Sequence, residues 1–165
     1  MSVSYEIPET MTAIEIAEFG GPEVLKPATR PTPTPGDGEL LVKTAAVGVN
    51  FPDTMQRQGS YPPPPGTTDI PGLELAGTVV AVGSGADGFA PGDKVCGLVS
   101  GGAYAEYCIV PAPTALPLPK GYDMLNAAAI PENFFTVWTN LFDGVQLTAG
   151  DTILIHGGSG GIGTA

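Results

Sequence analysis

Gly158, Ser159, Gly160, Gly161, Ile162 and Gly163 have the types and spacing to hold a diphosphate, because Gly158, Gly160 and Gly163 satisfy G-x-G-x-x-G. The loop follows the run Thr152-Ile153-Leu154-Ile155, which reads as a buried parallel strand opened by Gly150 and Asp151. In that context one glycine makes the tight turn, one lets the backbone reach a pyrophosphate, and one lets helix and strand pack closely. Amide N–H groups at the start of a following helix would carry the anion. The chain stops at Ala165, where that helix should begin, so it reads as the front of a longer protein cut inside its cofactor domain. By itself such a piece is expected to be inactive, with Thr152 to Ile155 either mobile or covered by another copy.

Few other groups are equipped for chemistry. His156 is the only histidine, so any Ser/His or Cys/His pair would have to use it, and no serine nucleophile elbow is present. A structural hydrogen bond is its expected task. Cys96 and Cys108 lie far apart without C-x-x-C spacing and read as small strand hydrophobes in a reducing, cytoplasmic setting. Asn50 stands before a short helix with Pro52 in its first turn and Gly59 as its stop, where an amide can cap. Asp53 and Arg57 are four apart on that helix and predict a salt bridge. Glu132 is expected to cap or pair locally.

The elements that position these residues follow from patterning. Residues 1–10 read as a loose extension. Thr12 to Glu18 alternates apolar and polar residues as a half-buried strand does, and Gly20-Gly21-Pro22 ends it. The Pro- and Thr-rich stretch Ala28 to Gly38 predicts an extended connection. Strands are expected at Leu40–Val49, at Glu74–Val82 with a bulge at Gly77, at Lys94–Gly97 after the turn Pro91-Gly92-Asp93, and at Ala103–Val110. Such repeated short strands predict a bent β-barrel over 11–128. Then the period changes. Asp123–Ala129 and Glu132–Phe142 predict helices, the second carrying Phe134, Val137, Trp138 and Leu141 on one core-facing side. Residues 129–165 thus read as a linking helix plus the first strand and glycine loop of a truncated Rossmann domain.

Composition narrows the partners. The net charge is −11 with only 6 Lys and Arg, scattered without a cluster, which argues against nucleic acid or an anionic membrane. The start is neither basic nor apolar enough for a signal peptide, and no apolar run approaches membrane-spanning length.

Several stretches occur together in order: F19-G-G-P-E-V-L25, G48-V-N-F-P-D53, R57-Q-G-S-Y-P62, P71-G-L-E74, P91-G-D-K-V95, G102-A-Y-A-E-Y107, I130-P-E-N-F-F-T-V-W138 and the glycine loop. With them the chain resembles the medium-chain dehydrogenase/reductase superfamily, in particular its zinc-free quinone oxidoreductase branch and the tumour-suppressor-inducible subgroup within it. The resemblance implies a mainly β, GroES-like barrel followed by the start of an α/β Rossmann domain. It also implies NADPH as cofactor, with NADH as an alternative, a small-molecule quinone or enone substrate, and a homo-oligomeric parent protein. Zinc enzymes of the superfamily carry Cys where this chain has Asn50 and His where it has Leu73, so the resemblance implies no zinc. A quinone is electron-poor enough to accept hydride without the Lewis acid that an alcohol needs.

By the same resemblance Asn50 lies near the nicotinamide, Tyr61 faces the substrate pocket, and Thr136 contacts the carboxamide end of the cofactor. From the residues alone, Tyr61 is equally a half-buried tyrosine and Thr136 a core residue packing its methyl. Two other functions are consistent with the motifs. One is reduction of enoyl thioesters or α,β-unsaturated carbonyls, with Tyr61 nearer to proton donation. The other is a non-catalytic, crystallin-like protein that binds NADPH.

Overall fold

A computed structural model of the chain describes residues 5–165. Two antiparallel sheets make up most of it. Strands β1 (Thr10–Ile16) and β2 (Leu25–Pro31) form a two-stranded pair, while β3 (Glu39–Val47), β4 (Glu74–Val82), β5 (Lys94–Leu98), β6 (Tyr107–Pro111) and β7 (Ala115–Pro117) form a sheet of order β6-β3-β4-β5-β7. An antiparallel bridge between Ala13 and Ala105 ties the sheets together. The result is the mainly β half-barrel that the strand spacing predicts.

Strand β3 shows why the core has two sides. Leu40, Leu41 and Val42 are all fully buried, and successive side chains of a strand point to opposite faces. Leu40 and Val42 accordingly pack with Leu75, Val79, Val95 and Val110, whereas Leu41 packs with Met11, Ala13, Ile70, Val80 and Tyr107. Each such aliphatic side chain contributes about 1.5–3 kcal/mol on burial. A third, smaller cluster joins Ala76 and Cys96 to Ala127 and Ala128 beside helix α2 (Met124–Ala127). The Asp123 carboxylate starts that helix by accepting from the Asn126 N–H at 2.8 Å.

Several expectations need correction. The first part of the expected connection over Ala28–Gly38, Ala28–Pro31, belongs to strand β2 instead: β2 pairs only with β1, so Pro27 and Pro31 are tolerated on an edge. The irregularity expected at Gly77 is a register shift on its partner, between Thr44 and Ala46 of β3. Residues 1–4 lie outside the described residues. Within the rest of the expected extension, Tyr5 packs against the Met11 cluster, and the Glu9 carbonyl accepts from the Thr32 N–H at 3.0 Å.

The C-terminal part departs further. Helix α3 (Pro131–Trp138) continues as a π-helical turn over Thr139–Gly144. Its apolar side faces outward: Trp138 is 60% exposed, and Phe134 and Phe142 are exposed as well. Of the expected core stripe, Val137 and Leu141 are half-buried, while Phe134 and Trp138 are left uncovered among the described residues. Thr152–Ile155 forms no strand. A strand needs a hydrogen-bonding neighbour, none of the described segments supplies one, and residues 151–155 are exposed.

Candidate functional site

Helix α1 (Phe51–Arg57) begins at Asn50, where strand β3 has ended and Pro52 presets the first turn. The Asn50 side chain takes part in a capping box with the Asp53 backbone at the start of the helix. Its Nδ2 donates to Glu74 Oε1 at 2.8 Å, while the Asp53 carboxylate reaches back to accept from the Asn50 backbone N–H at 2.8 Å. Asp53 also accepts from the Tyr104 hydroxyl at 2.9 Å. The predicted Asp53–Arg57 salt bridge is therefore absent, because a buried network has claimed the carboxylate; Asp53 is 6% exposed.

Glu74 is the centre of this network. It is 2% exposed, and its second oxygen accepts from the Glu132 backbone N–H at 2.9 Å. One carboxylate thus ties the start of α1 and the start of α3 to strand β4. Gly48 leaves room for it, since a Cβ there would lie 2.6 Å from Glu74 Cγ and collide with the carboxylate itself. An ionised carboxylate only accepts, so Asn50 must present its N–H₂ to Glu74.

Burial pushes the Glu74 carboxyl above the ordinary carboxylate range, against the lowering effect of the two N–H groups it accepts from, with Asp53 adding to the rise. Glu132 is raised too, by burial first and then by the charges of Glu74 and Asp53. The Tyr104 phenol is raised by burial and by Asp53. Asp53 Oδ1 has no hydrogen-bond partner among the described residues.

Tyr61 follows α1 and is 43% exposed. It lines a cavity of about 250 Å³ together with Gln56, Pro63, Leu73, Val99 and Glu132. The structure therefore brings Tyr61, Leu73 and Glu132 to one cavity, while Asn50 joins them only through Glu74. Thr136 is half-buried one turn along α3 from Glu132.

The glycine loop lies at the other side of α3, against Asn133. A Cβ at Gly161 would lie 2.7 Å from Asn133 Oδ1, and Gly163 packs so tightly on the loop that a Cβ there would lie 2.7 Å from the Gly157 carbonyl oxygen. Gly158, by contrast, opens onto free space. Helix α4 (Gly161–Thr164) starts within the loop. His156 is exposed and makes no hydrogen bond among the described residues, contrary to the expected structural role.

Residues 36–120 match the profile of the alcohol dehydrogenase GroES-like domain. The chain belongs to this family, within the medium-chain dehydrogenase/reductase superfamily. It is 38% identical over 157 residues to the mouse synaptic vesicle membrane protein VAT-1 homolog-like, covering 95% of this chain and 38% of that protein. It is 42% identical over 158 residues to the quinone oxidoreductase of Lama guanicoe, covering 94% and 48%. Among solved structures, a mycobacterial protein complexed with NADPH superposes with a TM-score of 0.78 at 42% identity, covering 93% of this chain and 46% of that one. The chain thus spans less than half the length of these curated relatives.

Within this GroES-like domain the sequence reading overlooked Glu74 as the network centre, and Tyr104 and Gln56 altogether. A single acid inside the apolar run Leu73–Val82 was the available signal for Glu74. Nothing local marks Tyr104, whose partner Asp53 is 51 residues away. Both cysteines are buried and free, as expected, and burial pushes the Cys108 thiol up to about 12.

Proposed function

We propose that the protein to which this chain belongs reduces quinones by hydride transfer from a nicotinamide dinucleotide, NADPH first and NADH second, without a metal. The observation that carries this reading is the Asn50–Glu74 hydrogen bond at the end of β3, beside a cavity bearing Tyr61. We further propose that residues 129–165 open a nucleotide-binding unit behind a barrel of residues 11–128.

The donor set does not fit zinc. Asn50 offers a neutral amide already committed to Glu74, Leu73 offers no donor atom, and both Glu74 oxygens accept N–H groups. Cys96 and Cys108 are buried in different clusters. Tetrahedral zinc sites require thiolate, imidazole or carboxylate donors that converge.

The loop does fit a dinucleotide. Gly158 leaves an open face for a phosphate, Gly163 permits the tight return, and Gly157 takes φ +68° to turn the chain. Gly158, Ser159, Gly160, Gly161, Ile162 and Gly163 would hold the pyrophosphate, with Thr136 at the carboxamide end. When bound, a reduced nicotinamide supplies the hydride. The residues of this chain orient and exclude water: Glu74 holds the Asn50 amide in place, and Tyr61, Leu73 and Val99 wall the acceptor's cavity.

Support for the quinone comes from the likeness to proteins named quinone oxidoreductase, and for NADPH from the likeness to a structure solved with it. The test is NADPH oxidation by the native protein with a benzoquinone and, separately, with an enoyl thioester, after metal analysis of the purified enzyme. Turnover with the quinone is expected, with Tyr61→Phe raising KM about 10-fold. Turnover with the thioester alone, or stoichiometric zinc, would overturn the reading.

A further inference from the structure

Glu132 combines a place in the first turn of a helix, which suits an acidic side chain, with a place on the wall of the Tyr61 cavity. It occupies the first turn of α3 directly after Pro131, which is fully buried and fixes the chain, and its N–H is anchored to Glu74 at 2.9 Å. Its own carboxyl makes no hydrogen bond among the described residues, and Glu132 lines the same cavity as Tyr61 and Leu73. The charged groups acting on it are Glu74 from β4 and Asp53 from α1, both acidic, and the phenol of Tyr104 is occupied by Asp53. No cation compensates within this cluster, and Asp53 Oδ1 is itself buried without a partner. Two neighbouring carboxylates favour a proton on the third.

We propose that the Glu132 carboxyl is the general acid of this cavity, delivering a proton to the oxygen of the carbonyl acceptor as it is reduced. The proposal rests on the hydride-transfer reading above. The acceptor takes a hydride, which carries two electrons and one proton, while the nicotinamide is oxidised; negative charge then develops on the acceptor's oxygen. The Glu132 O–H bond breaks, the product O–H bond forms, and the carboxylate recovers its proton from water at the cavity mouth. Burial and the charges of Glu74 and Asp53 keep that proton available above the ordinary carboxylate range. Tyr61, on the same wall, is left to orient the acceptor.

The experiment compares wild type, Glu132→Gln and Glu132→Asp in the native protein, with NADPH and a benzoquinone. Glu132→Gln is expected to lose about 100-fold in kcat, to bind NADPH with unchanged affinity by fluorescence titration, and to lose the fall in rate that wild type shows as pH rises through the Glu132 pKa. Glu132→Asp keeps that pH dependence with a smaller loss. A second readout needs no turnover: infrared spectra of the cofactor-free protein should show a protonated-carboxyl band that persists above the ordinary carboxylate range and is absent from Glu132→Gln. A wild type active on quinones whose Glu132→Gln variant keeps its kcat and pH profile would overturn this proposal alone. A wild type that reduces no quinone would overturn the functional reading and this one with it. Absence of the infrared band would overturn the proposal even where Glu132→Gln does not fold.

Discussion

Replacing Glu74 separates what its charge does from what its two acceptors do. In Glu74→Ala, the Asn50 amide and the Glu132 N–H lose their partners. Each buried donor left unsatisfied costs about 1–3 kcal/mol, so with Asn50 partly open to water the loss is about 2–4 kcal/mol. Glu74→Gln keeps the shape but has one oxygen. That oxygen must accept from the Glu132 N–H, which cannot turn, so the new N–H₂ faces Asn50 and forces its amide to flip. Two charge-assisted bonds become ordinary ones, a loss of about 2 kcal/mol, partly offset because no charge is buried. The net change is about 1 kcal/mol.

The pH dependence carries a definite sign. The folded-state pKa of Glu74 is raised above its ordinary value of 4.5, so its contribution to stability is full below that value and is lost as pH rises through the folded pKa. Wild type should therefore lose stability relative to Glu74→Gln as pH increases from about 4.5, with Glu132, itself raised by burial and by the Glu74 charge, adding in the same direction. Urea denaturation across that range reads both quantities. An alanine variant as stable as wild type, or a wild type that gains on the glutamine variant with rising pH, would refute the arrangement.

Other expectations follow from the same contacts. Gly48→Ala should cost about 1–3 kcal/mol in urea denaturation, since its methyl would meet the Glu74 carboxylate. Tyr104→Phe removes a hydrogen bond to a buried carboxylate and should lower stability by about 1.5–3 kcal/mol, measured the same way. Cys108, with its thiol pushed up to about 12 and buried beside Val110, should resist iodoacetamide at neutral pH in the native state and react once unfolded; rapid native labelling by mass spectrometry would contradict its burial.

Much of the barrel was legible because its strands either alternate, as around Met11 and Ala13, or run continuously apolar where both faces are covered, as at Leu40–Val42. Strand β2 was not, since Pro27 and Pro31 argue locally against a strand and only the edge position permits them. Asn50 and Tyr61 were legible as site candidates through the motifs around them, but the partner that holds Asn50 was not. Glu74 meets it across 24 residues of chain, and no local pattern encodes that contact. The Asp53–Arg57 pair failed for a related reason: helical spacing allows it, but the tertiary contact with Tyr104 fixes Asp53 elsewhere. Thr152–Ile155 has the composition of a strand, yet composition cannot supply the neighbour that a ladder requires.

The outward side of α3 gives the molecule a built-in optical gauge. Trp138 is the only tryptophan, it stands 60% exposed, and its ring lies 4.8 Å from that of Phe142. Its emission should be red-shifted while the helix is bare. Anything that settles over this surface, whether further polypeptide or a second molecule, must move the emission toward the blue without any label being attached.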